Sequence, residues 1–549
     1  MSAVRITVIV GIAALLCVAF ASGLAAGAET DTTGDESVNA TLVAAYPNPV
    51  ARGDPGEFVT VRFEQPTNTS TWTLTDGKTT AELPNQTLAG TVAFSMTPDH
   101  ARNHTDHRVL PLSGRLLLAD GGDRLELRAS GRTIDSARYR NAPVSERWSF
   151  ETETWHPIGA TKHEPVRTDG GNATVFVLPD APDETVQQIR TAEDRILIAG
   201  YTFSSERVAD VLEEAAANGV DARVLLDGAP VGGTGNRQAR QLDRLVEAGV
   251  EVRVLAGPHT RYRHHHPKYA VIDDRALVST ENFKPAGSGG MSSRGWGVAL
   301  NDEEATAALA SVYEGDWTWR AATPWSVHRQ ARVFTDTDPA LGSFEPRYEP
   351  ERVEVDSATV LVAPDNAADE LISMIDSADD RVLVQQVRID SRENQLLRAA
   401  MDAAERGVRV RIHLDGSWYV ESENKALASW LNRRADVDGW DLEARVDGAD
   451  GYEKLHTKGV IVDDTAIVGS LNWVRSAKSD NREVLVALEG TEPADYYAAV
   501  FANDWSGDER RSIPIGLLAI AAVVGSGALL LLRRIEFVGK NEPVTDWKW

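Results

Sequence analysis

The sequence predicts an α/β protein: two repeated α/β/α sandwich domains, preceded by a small β-sandwich and followed by a transmembrane helix. Three observations lead to this fold class. A long segment recurs once, at an offset that drifts only from 185 to 188 residues. Each copy alternates strand patterns with amphipathic helical patterns, which is typical of a sheet covered by helices. An uncharged run of 20 residues near the C-terminus has the length of a bilayer span.

The N-terminal residues 1–28 have the pattern of a secretion signal. Arg5 precedes an apolar run from Ile6 to about Ala21, and a small-x-small site closes the segment at Ala26–Ala28. An uncleaved N-terminal anchor is the alternative. Cys17, the single cysteine, lies in this run. We therefore expect a processed chain without disulfides, thiolate nucleophiles or cysteine-based metal sites.

Residues 38–150 have an all-β pattern. Short alternating runs, such as Phe58–Phe63 and Arg115–Ala119, are separated by Gly, Asp, Asn and Pro turns. This pattern predicts a small sandwich. The segments Gly56–Val59 and Trp72–Gly77 resemble the lamin-tail domain, an immunoglobulin-like sandwich. That resemblance implies an accessory binding or positioning module.

The internal repeat occupies residues 173–320 and 358–507. Gly219–Gly228 recurs as Gly407–Gly416, and Val312–Trp317 recurs as Val500–Trp505. Two long copies indicate two similar domains packed together rather than a solenoid. The recurring Trp317 and Trp505 are expected in the core. Asp227 and Asp415 end repeated strands, either as turn residues or as residues that border a site.

Both copies contain the same polar pattern: His-x-Lys, an Asp seven residues after the His, and an Asn sixteen residues after it. Alternate residues of a strand face the same way, so each His and Lys can meet one ligand. Cations and amides suit the non-bridging oxygens of a phosphodiester. One imidazole can attack phosphorus while the other transfers protons. The residues are His266, Lys268, Asp273, Thr280 and Asn282 in the first copy, and His456, Lys458, Asp463, Ser470 and Asn472 in the second.

This duplicated motif resembles the phospholipase D superfamily over residues 173–506. The resemblance implies a reaction through a covalent phosphohistidine, with no metal and no cofactor. Either His266 or His456 is then the nucleophile and the other the general acid, with a preference for His266 as the nucleophile. The motif lysines and asparagines bind the phosphate, supported by Thr280 and Ser470. Asp273 and Asp463 are grouped with the catalytic motif but are expected to brace it.

The two copies differ after the motif. In the second copy, Glu483 occupies the position where a carboxylate of the family bonds a histidine and sets its tautomer. The aligned stretch of the first copy, Ser293–Gly295, has no carboxylate, which predicts different surroundings for the two histidines. Arg294 is either an added phosphate contact or a loop arginine. The run His264–His266 is not expected to bind a metal, since adjacent strand residues point to opposite faces.

The apolar run Ile513–Leu532 predicts the transmembrane helix, with a buried core helix as the alternative. Arginines flank it on both sides, so charge alone does not orient it. A secretion signal followed by this span places the repeated domains outside the cell membrane and residues 533–549 inside.

The formal net charge is -26, and arginine supplies most of the positive charge. This composition is typical of proteins from salt-loving archaea. It argues against loose electrostatic capture of nucleic acid, which also weakens steeply with salt. The predicted function is phosphodiester cleavage, with extracellular nucleic acid or a phospholipid head group as the partner substrate. The alternative is a non-catalytic scaffold that keeps the fold. The oligomeric state stays open.

Overall fold

The computed structural model describes residues 40–51, 53–335, 340–447 and 451–506. The predicted secretion signal, C-terminal span and tail lie outside these residues. Within the described part of the chain, no helix combines the length and the apolarity that crossing a bilayer requires.

The N-terminal region consists of two sheets that share one apolar core. One sheet has the strand order β11-β10-β1-β2-β5-β6 and the other the order β7-β4-β3-β8-β9. Phe63, Trp72, Phe94 and Leu125 lie in the common core. The elements are β1 Ala40–Tyr46, β2 Phe58–Asn68, β3 Trp72–Thr75, β4 Thr80–Glu82, β5 Thr87–Ser95, α1 Pro98–Ala101, β6 Arg108–Pro111, β7 Ser113–Gly114, β8 Arg124–Ala129, β9 Arg132–Arg138, β10 Glu146–Ser149 and β11 Thr154–Pro157.

The first copy of the repeat, residues 171–328, is called lobe 1. Ser205 caps the N-terminus of α3 by accepting from Val208 N–H, and Asp302 caps α5 in the same way. The elements, with the preceding strand and a closing 3₁₀ turn, are β12 Val166–Thr168, β13 Gly171–Leu178, α2 Glu184–Arg190, β14 Arg195–Gly200, α3 Glu206–Ala217, β15 Asp221–Asp227, α4 Asn236–Glu247, β16 Glu251–Leu255, β17 Tyr269–Ile272, β18 Arg275–Ser279, β19 Ser293–Asn301, α5 Glu303–Trp317, β20 Ala322–Pro324, α6 Trp325–His328 and the 3₁₀ turn Arg329–Ala331.

The second copy, residues 357–506, is called lobe 2. Its elements, with the strand that precedes them, are β21 Glu351–Val355, β22 Ser357–Ala363, α7 Ala367–Asp376, β23 Arg381–Gln386, α8 Gln395–Glu405, β24 Arg409–Asp415, α9 Glu421–Asp438, β25 Leu442–Asp447, β26 Lys454–Leu455, β27 Lys458–Val462, β28 Thr465–Gly469, α10 Arg475–Ser479, β29 Glu483–Glu489 and α11 Thr491–Ser506.

The sheets of the two lobes have the same topology. The order is β16-β15-β14-β17-β18-β19-β13 in lobe 1 and β25-β24-β23-β27-β28-β29-β22 in lobe 2. The strands β14, β15 and β16 are parallel and are connected through α3 and α4, whereas β17, β18 and β19 form an antiparallel meander. The sequence repeat is therefore a repeat of strand order.

The lobes exchange edge strands. The strand β21, which leads into lobe 2, pairs with β13 of lobe 1. The strand β12, which leads into lobe 1, pairs with β22 of lobe 2. Trp296 of lobe 1 stacks on Tyr497 of lobe 2, with ring centroids 4.5 Å apart, inside a core to which both lobes contribute. Trp317 belongs to this core and Trp505 packs against it, as the recurring pattern predicts.

Two buried arginines join the lobes. Arg294 of lobe 1 is 0% exposed and bonds Asp180 of its own lobe and Asp504 of lobe 2, the latter at 3.1 Å. Arg482 of lobe 2 bonds Asp365 of its own lobe and Asp316 of lobe 1. Arg294 is thus neither the phosphate contact nor the ordinary loop arginine that the sequence suggested. Its charge is committed to a buried inter-lobe pair.

Candidate active site

The two motif histidines lie at the seam between the lobes. His266 precedes β17, and its backbone N–H donates to the carbonyl of Arg482 in lobe 2 at 3.0 Å. His456 precedes β27, and its N–H donates to the carbonyl of Arg294 in lobe 1 at 3.0 Å. Each histidine is therefore held at the backbone by the opposite lobe.

The residue before each histidine is held by an aspartate at the end of a parallel strand. Asp227 accepts from the N–H of His265 at 2.6 Å, and Asp415 accepts from the N–H of Leu455 at 2.9 Å. These are the two aspartates for which the sequence left open a turn role or a place beside the site. Their carboxylates fix the chain that enters the motif.

The three consecutive histidines have different surroundings. Nδ1 of His264 lies 3.6 Å from Asp227, and the buried ring of His265 lies 3.8 Å from Asp316. The ring of His266 faces Glu483 instead. In the described ranges, no group of three His, Cys, Asp or Glu side chains has the arrangement of a metal site.

Each motif histidine bonds a buried glutamate of the other lobe. Nδ1 of His266 lies 2.8 Å from Oε2 of Glu483, and Nδ1 of His456 lies 2.8 Å from Oε1 of Glu281. A carboxylate at Nδ1 keeps the proton on that nitrogen and leaves Nε2 for chemistry. The expectation that only one histidine has a carboxylate is therefore wrong, because Glu281 supplies the second one.

A glycine makes room for Glu281. A β-carbon at Gly295 would lie 2.3 Å from Cγ of Glu281, which no real side chain tolerates. Gly295 aligns with Glu483, and Glu281 aligns with Leu471, so the carboxylate has moved between two neighbouring positions. The paired differences Glu281/Gly295 and Leu471/Glu483 were the signal that sequence reasoning missed.

The motif lysines are buried beside the histidines. Nζ of Lys268 donates to the carbonyl of His266, and Nζ of Lys458 lies 3.0 Å from Nδ1 of His456 and 3.4 Å from the carbonyl of Thr280. Burial lowers the pKa of Lys268 well below its ordinary value, although the nearby Glu483 acts to raise it. Burial also lowers the pKa of Lys458, to about 7. A bound anion favours the ammonium form of a buried lysine, because it supplies a counter-charge.

The two His–Glu pairs differ electrostatically. Burial lowers the pKa of His266 to about 4, and burial together with Lys458 holds the pKa of His456 well below its ordinary value. Burial raises the pKa of Glu281 to about 7. Burial acts to raise the pKa of Glu483 as well, but His266, Lys268 and the hydroxyl of Ser470 together outweigh it and the net direction is downward. Glu483 therefore stays ionised at neutral pH, whereas Glu281 titrates there.

The asparagines and hydroxyls of the motif have separate places. Asn282 is buried, and its Oδ1 has no hydrogen-bond partner among the described residues, while Asn472 is half-buried. The hydroxyl of Thr280 accepts from Trp296 N–H at 3.0 Å, and that of Ser470 accepts from Val484 N–H at 3.1 Å. Both hydroxyls therefore fasten the motif loops to β19 and β29, and their phosphate-binding role stays a prediction.

Asp273 and Asp463 lie at the far end of β17 and β27, roughly 20 Å of extended chain from the histidines. Both adopt positive φ, at 50° and 48°. Each carboxylate accepts three backbone N–H bonds at 2.8–2.9 Å from the residues that begin β14 or β23. The structure thus separates them from the histidines of the motif with which the sequence grouped them, and their backbone bonds agree with the bracing role expected of them.

Aromatic side chains border the site. The ring of Tyr201 lies 4.7 Å from the ring of His266 and 5.6 Å from Nζ of Lys268. On the lobe 2 side, the hydroxyl of Tyr419 lies 3.3 Å from Asp415, and Trp418 beside it is 88% exposed. Sequence reasoning missed these residues, since each follows a strand end without a recognisable motif.

Comparisons with known proteins match the same two segments. Residues 185–317 and 371–505 match the family model described as cardiolipin synthase, PLD-like domain. The mitochondrial cardiolipin hydrolase of Mus musculus is 34% identical over 112 residues, which cover 20% of this chain and 46% of that protein. The chain thus spans about half the length of this curated relative.

Two solved structures are also similar to parts of this chain. Nuc from Salmonella typhimurium, a phospholipase D family member, is 19% identical with a TM-score of 0.25, covering 29% of this chain and 98% of Nuc. The phosphatidylserine synthase of Haemophilus influenzae Rd KW20 is 13% identical with a TM-score of 0.46, covering 60% of this chain and 86% of the synthase. The matched family segments coincide with the two lobes that carry the His-x-Lys motifs. Both lobes are therefore similar to the PLD-like domain that this family model describes.

Proposed function

We propose that this protein is a phosphodiesterase that cleaves its substrate through a phosphohistidine intermediate. The observation that supports it best is the reciprocal pair of histidines, each with Nδ1 at 2.8 Å from a buried glutamate of the other lobe. Such pairs leave two Nε2 atoms at one seam, next to two buried lysines. A scaffold protein would not need to keep buried, partly neutralised cations there, because burying them costs stability.

In the first step, Nε2 of His266 attacks phosphorus. A P–N bond forms and the P–O bond to the leaving alcohol breaks. The leaving oxygen takes a proton from Nε2 of His456, while Nδ1 of His456 takes the proton that Glu281 carries at this stage, so His456 ends the step neutral. Lys268, Lys458 and the amides of Asn282 and Asn472 bind the non-bridging oxygens and stabilise the charge that grows there.

In the second step, His456 is neutral and accepts a proton from water. The water oxygen attacks phosphorus, a P–O bond forms, and the P–N bond breaks. The product is a phosphomonoester, and His266 returns to its neutral form. An alcohol in place of water would give transfer instead of hydrolysis, by the same steps.

The two glutamates suit different roles. Ionised Glu483 polarises Nδ1–H of His266 and makes its Nε2 the better nucleophile. Glu281, with its pKa raised to about 7, can follow the proton changes of His456 during the cycle. This difference supports His266 as the nucleophile and His456 as the general acid and base. Both glutamates act as positioning residues through their histidines.

For the natural substrate we propose extracellular nucleic acid. The lobes are compact, and the described loops around the seam add no long insertion that could dock on lipid. The second candidate is a phospholipid head group, which the predicted C-terminal span would bring close. Under the proposal, the lamin-tail-like N-terminal region positions the substrate, and the protein acts at the outer face of the cell membrane.

A trapping experiment tests the mechanism. Full-length wild-type protein and the variants His456→Asn and His266→Asn are given a nitrophenyl phosphodiester in molar salt with a chelator. Nitrophenolate needs no general acid, so His456→Asn should release one equivalent in a burst and retain phosphate on the peptide containing His266. His266→Asn should give neither burst nor adduct. An adduct on His456 in the His266→Asn variant would reverse the roles, and turnover in both variants would reject the site.

A further inference from the structure

Two additional lysines lie beside one of the histidines. Lys284 is two residues after Asn282, and Lys454 is two residues before His456. The equivalent residues on the other side of the pseudo-twofold arrangement are Val474 and His264. The extra positive charge is therefore confined to the half of the site that contains His456.

These two lysines line a cavity of about 450 Å³. Arg237 contributes a third cation to its wall, and small or hydroxyl residues form much of the rest. The lining also includes Thr202, Ser204 and Gly233, and one carboxylate, Glu453, which accepts from the hydroxyl of Ser292 at 2.7 Å. The cavity is thus polar, open to small ligands and basic on the side of Lys284 and Lys454.

The charge is unusual for this chain. The sequence contains ten lysines against 82 acidic residues, and four of the ten are Lys268, Lys284, Lys454 and Lys458 at this seam. Lys284 and Lys454 are half-buried, and neither forms an ion pair with a residue in the described ranges. The carboxylate that acts on both lysines, Glu281, is already bonded to His456, so an anion from outside the chain would stabilise the two neighbouring cations further.

Electrostatic coupling ties this pair to the reacting groups. Burial lowers the pKa of Lys284, and the nearby ammonium of Lys454 lowers it further. Both lysines also act on the pKa of His456, in the same direction as burial. The cavity is therefore next to the scissile position and not a remote surface feature.

Spacing indicates what the anion belongs to. Two residues of extended chain span about 6.6 Å, which places Lys454 roughly one phosphodiester repeat away from His456. The exposed Trp418 and the adjacent Tyr419 lie on the same rim, since Asp415 contacts both the hydroxyl of Tyr419 and the backbone before His456. Aromatic rings beside a basic groove are the usual means of holding single-stranded nucleic acid, through base stacking.

We propose that Lys284 and Lys454 form a second phosphate subsite, which binds the phosphate next to the scissile one in a single strand of nucleic acid. This inference rests on the proposed phosphodiesterase function and specifies its substrate class. A lipid with a single phosphate has no group for this subsite, whereas every internal linkage of a strand supplies one.

The test compares small substrates that differ by one phosphate. Nitrophenyl esters of thymidine 5′-phosphate, with and without a 3′-phosphate, are paired with esters of thymidine 3′-phosphate, with and without a 5′-phosphate. For full-length wild-type protein, the added phosphate should raise kcat/KM roughly tenfold or more in one polarity. In the double variant Lys284→Gln/Lys454→Gln, this ratio should fall below about threefold.

The matched control is Lys425→Gln, because Lys425 is an exposed lysine that pairs with Glu421 on α9. Its ratio should equal that of the wild type. Each ratio is formed within one variant, so a general loss of activity cancels. A wild-type ratio near one in both polarities, or an unchanged ratio in the double variant, overturns the subsite. Failure to cleave any of the four esters would count against the phosphodiesterase function itself.

A second comparison tests whether the neighbouring phosphate belongs to a lipid instead of a nucleic acid. Cardiolipin carries two phosphates, so vesicles containing cardiolipin are compared with single-stranded oligothymidylate for the wild type and the double variant. If the double variant cleaves oligothymidylate more slowly than the wild type at low salt, the nucleic-acid assignment is supported. If the double variant loses cardiolipin cleavage but keeps oligothymidylate cleavage, the nucleic-acid assignment is overturned in favour of lipid.

Discussion

Moving the carboxylate of lobe 1 to the position used in lobe 2 is the sharpest test of how this site is built. Lobe 1 has Glu281 and Gly295, whereas lobe 2 has Leu471 and Glu483 at the aligned positions. The double variant Glu281→Leu/Gly295→Glu gives lobe 1 the arrangement of lobe 2. Because lobe 2 already accommodates this combination, we expect the double variant to fold and to present a carboxylate to His456.

The magnitudes follow from the contacts. Glu281→Leu removes a 2.8 Å bond between a carboxylate and an imidazole, and charge-assisted bonds contribute about 1.5–3 kcal/mol. We therefore expect kcat to fall roughly 10- to 100-fold. In Gly295→Glu alone, the new β-carbon would lie 2.3 Å from Cγ of Glu281. This overlap should lower the free energy of unfolding by about 1–3 kcal/mol. The double variant should recover to within about tenfold of wild type.

The assay is kcat and kcat/KM on a nitrophenyl diester across pH, with the free energy of unfolding measured in parallel. In the wild type, the pKa of Glu281 is raised to about 7, so the carboxylate is lost as pH falls through 7. We expect kcat to fall with it, because the second step needs neutral His456 as its base. Glu281→Gln keeps the shape without the charge and should lose this limb of the profile.

Two results would refute the reasoning. If the folded double variant is no more active than Glu281→Leu, the carboxylate of Glu281 is not what His456 requires. If Glu281→Gln keeps both full activity and the limb near pH 7, the glutamate does not position the histidine. In either case the reciprocal arrangement would be structural only.

Three further outcomes are expected. Arg482→Met leaves two buried carboxylates without their cation and should lower the free energy of unfolding by about 3–5 kcal/mol. The control Arg167→Met breaks an exposed pair and should lower it by at most about 1 kcal/mol. Both free energies are measured by urea unfolding. Asp463→Asn should cost about 1 kcal/mol with kcat within threefold. Because backbone hydrogen bonds outweigh burial and lower the pKa of Asp463 in the folded state, its contribution is present above about pH 4 and is lost as pH falls further. A chelator should leave the cleavage rate of the wild type unchanged, and a loss of rate restored by a divalent metal would contradict the metal-independent scheme.

The reciprocal contacts explain why both lobes are needed for one site. The backbone of each histidine and its carboxylate partner come from different lobes. The exchanged strands β12 and β21 and the two buried arginines hold the lobes in the register that these contacts require. A shift between the lobes would therefore separate each imidazole from its glutamate.

Sequence alone determined the features that depend on local pattern. The repeat, the alternation of strands and helices, and the His-x-Lys placement at the start of β17 and β27 all follow from residue spacing within one copy. The bracing role of Asp273 and Asp463 followed from the family motif and agrees with their backbone hydrogen bonds.

Only the tertiary structure decided which groups meet across the seam. Glu483 reaches His266 over 217 residues of chain, and Glu281 reaches His456 over 175. The same holds for Arg294, whose partner Asp504 lies 210 residues away. Spacing along one strand fixes which way a side chain points but carries no information about which lobe it faces. The partner of each motif histidine was therefore set by the packing of two similar domains against each other.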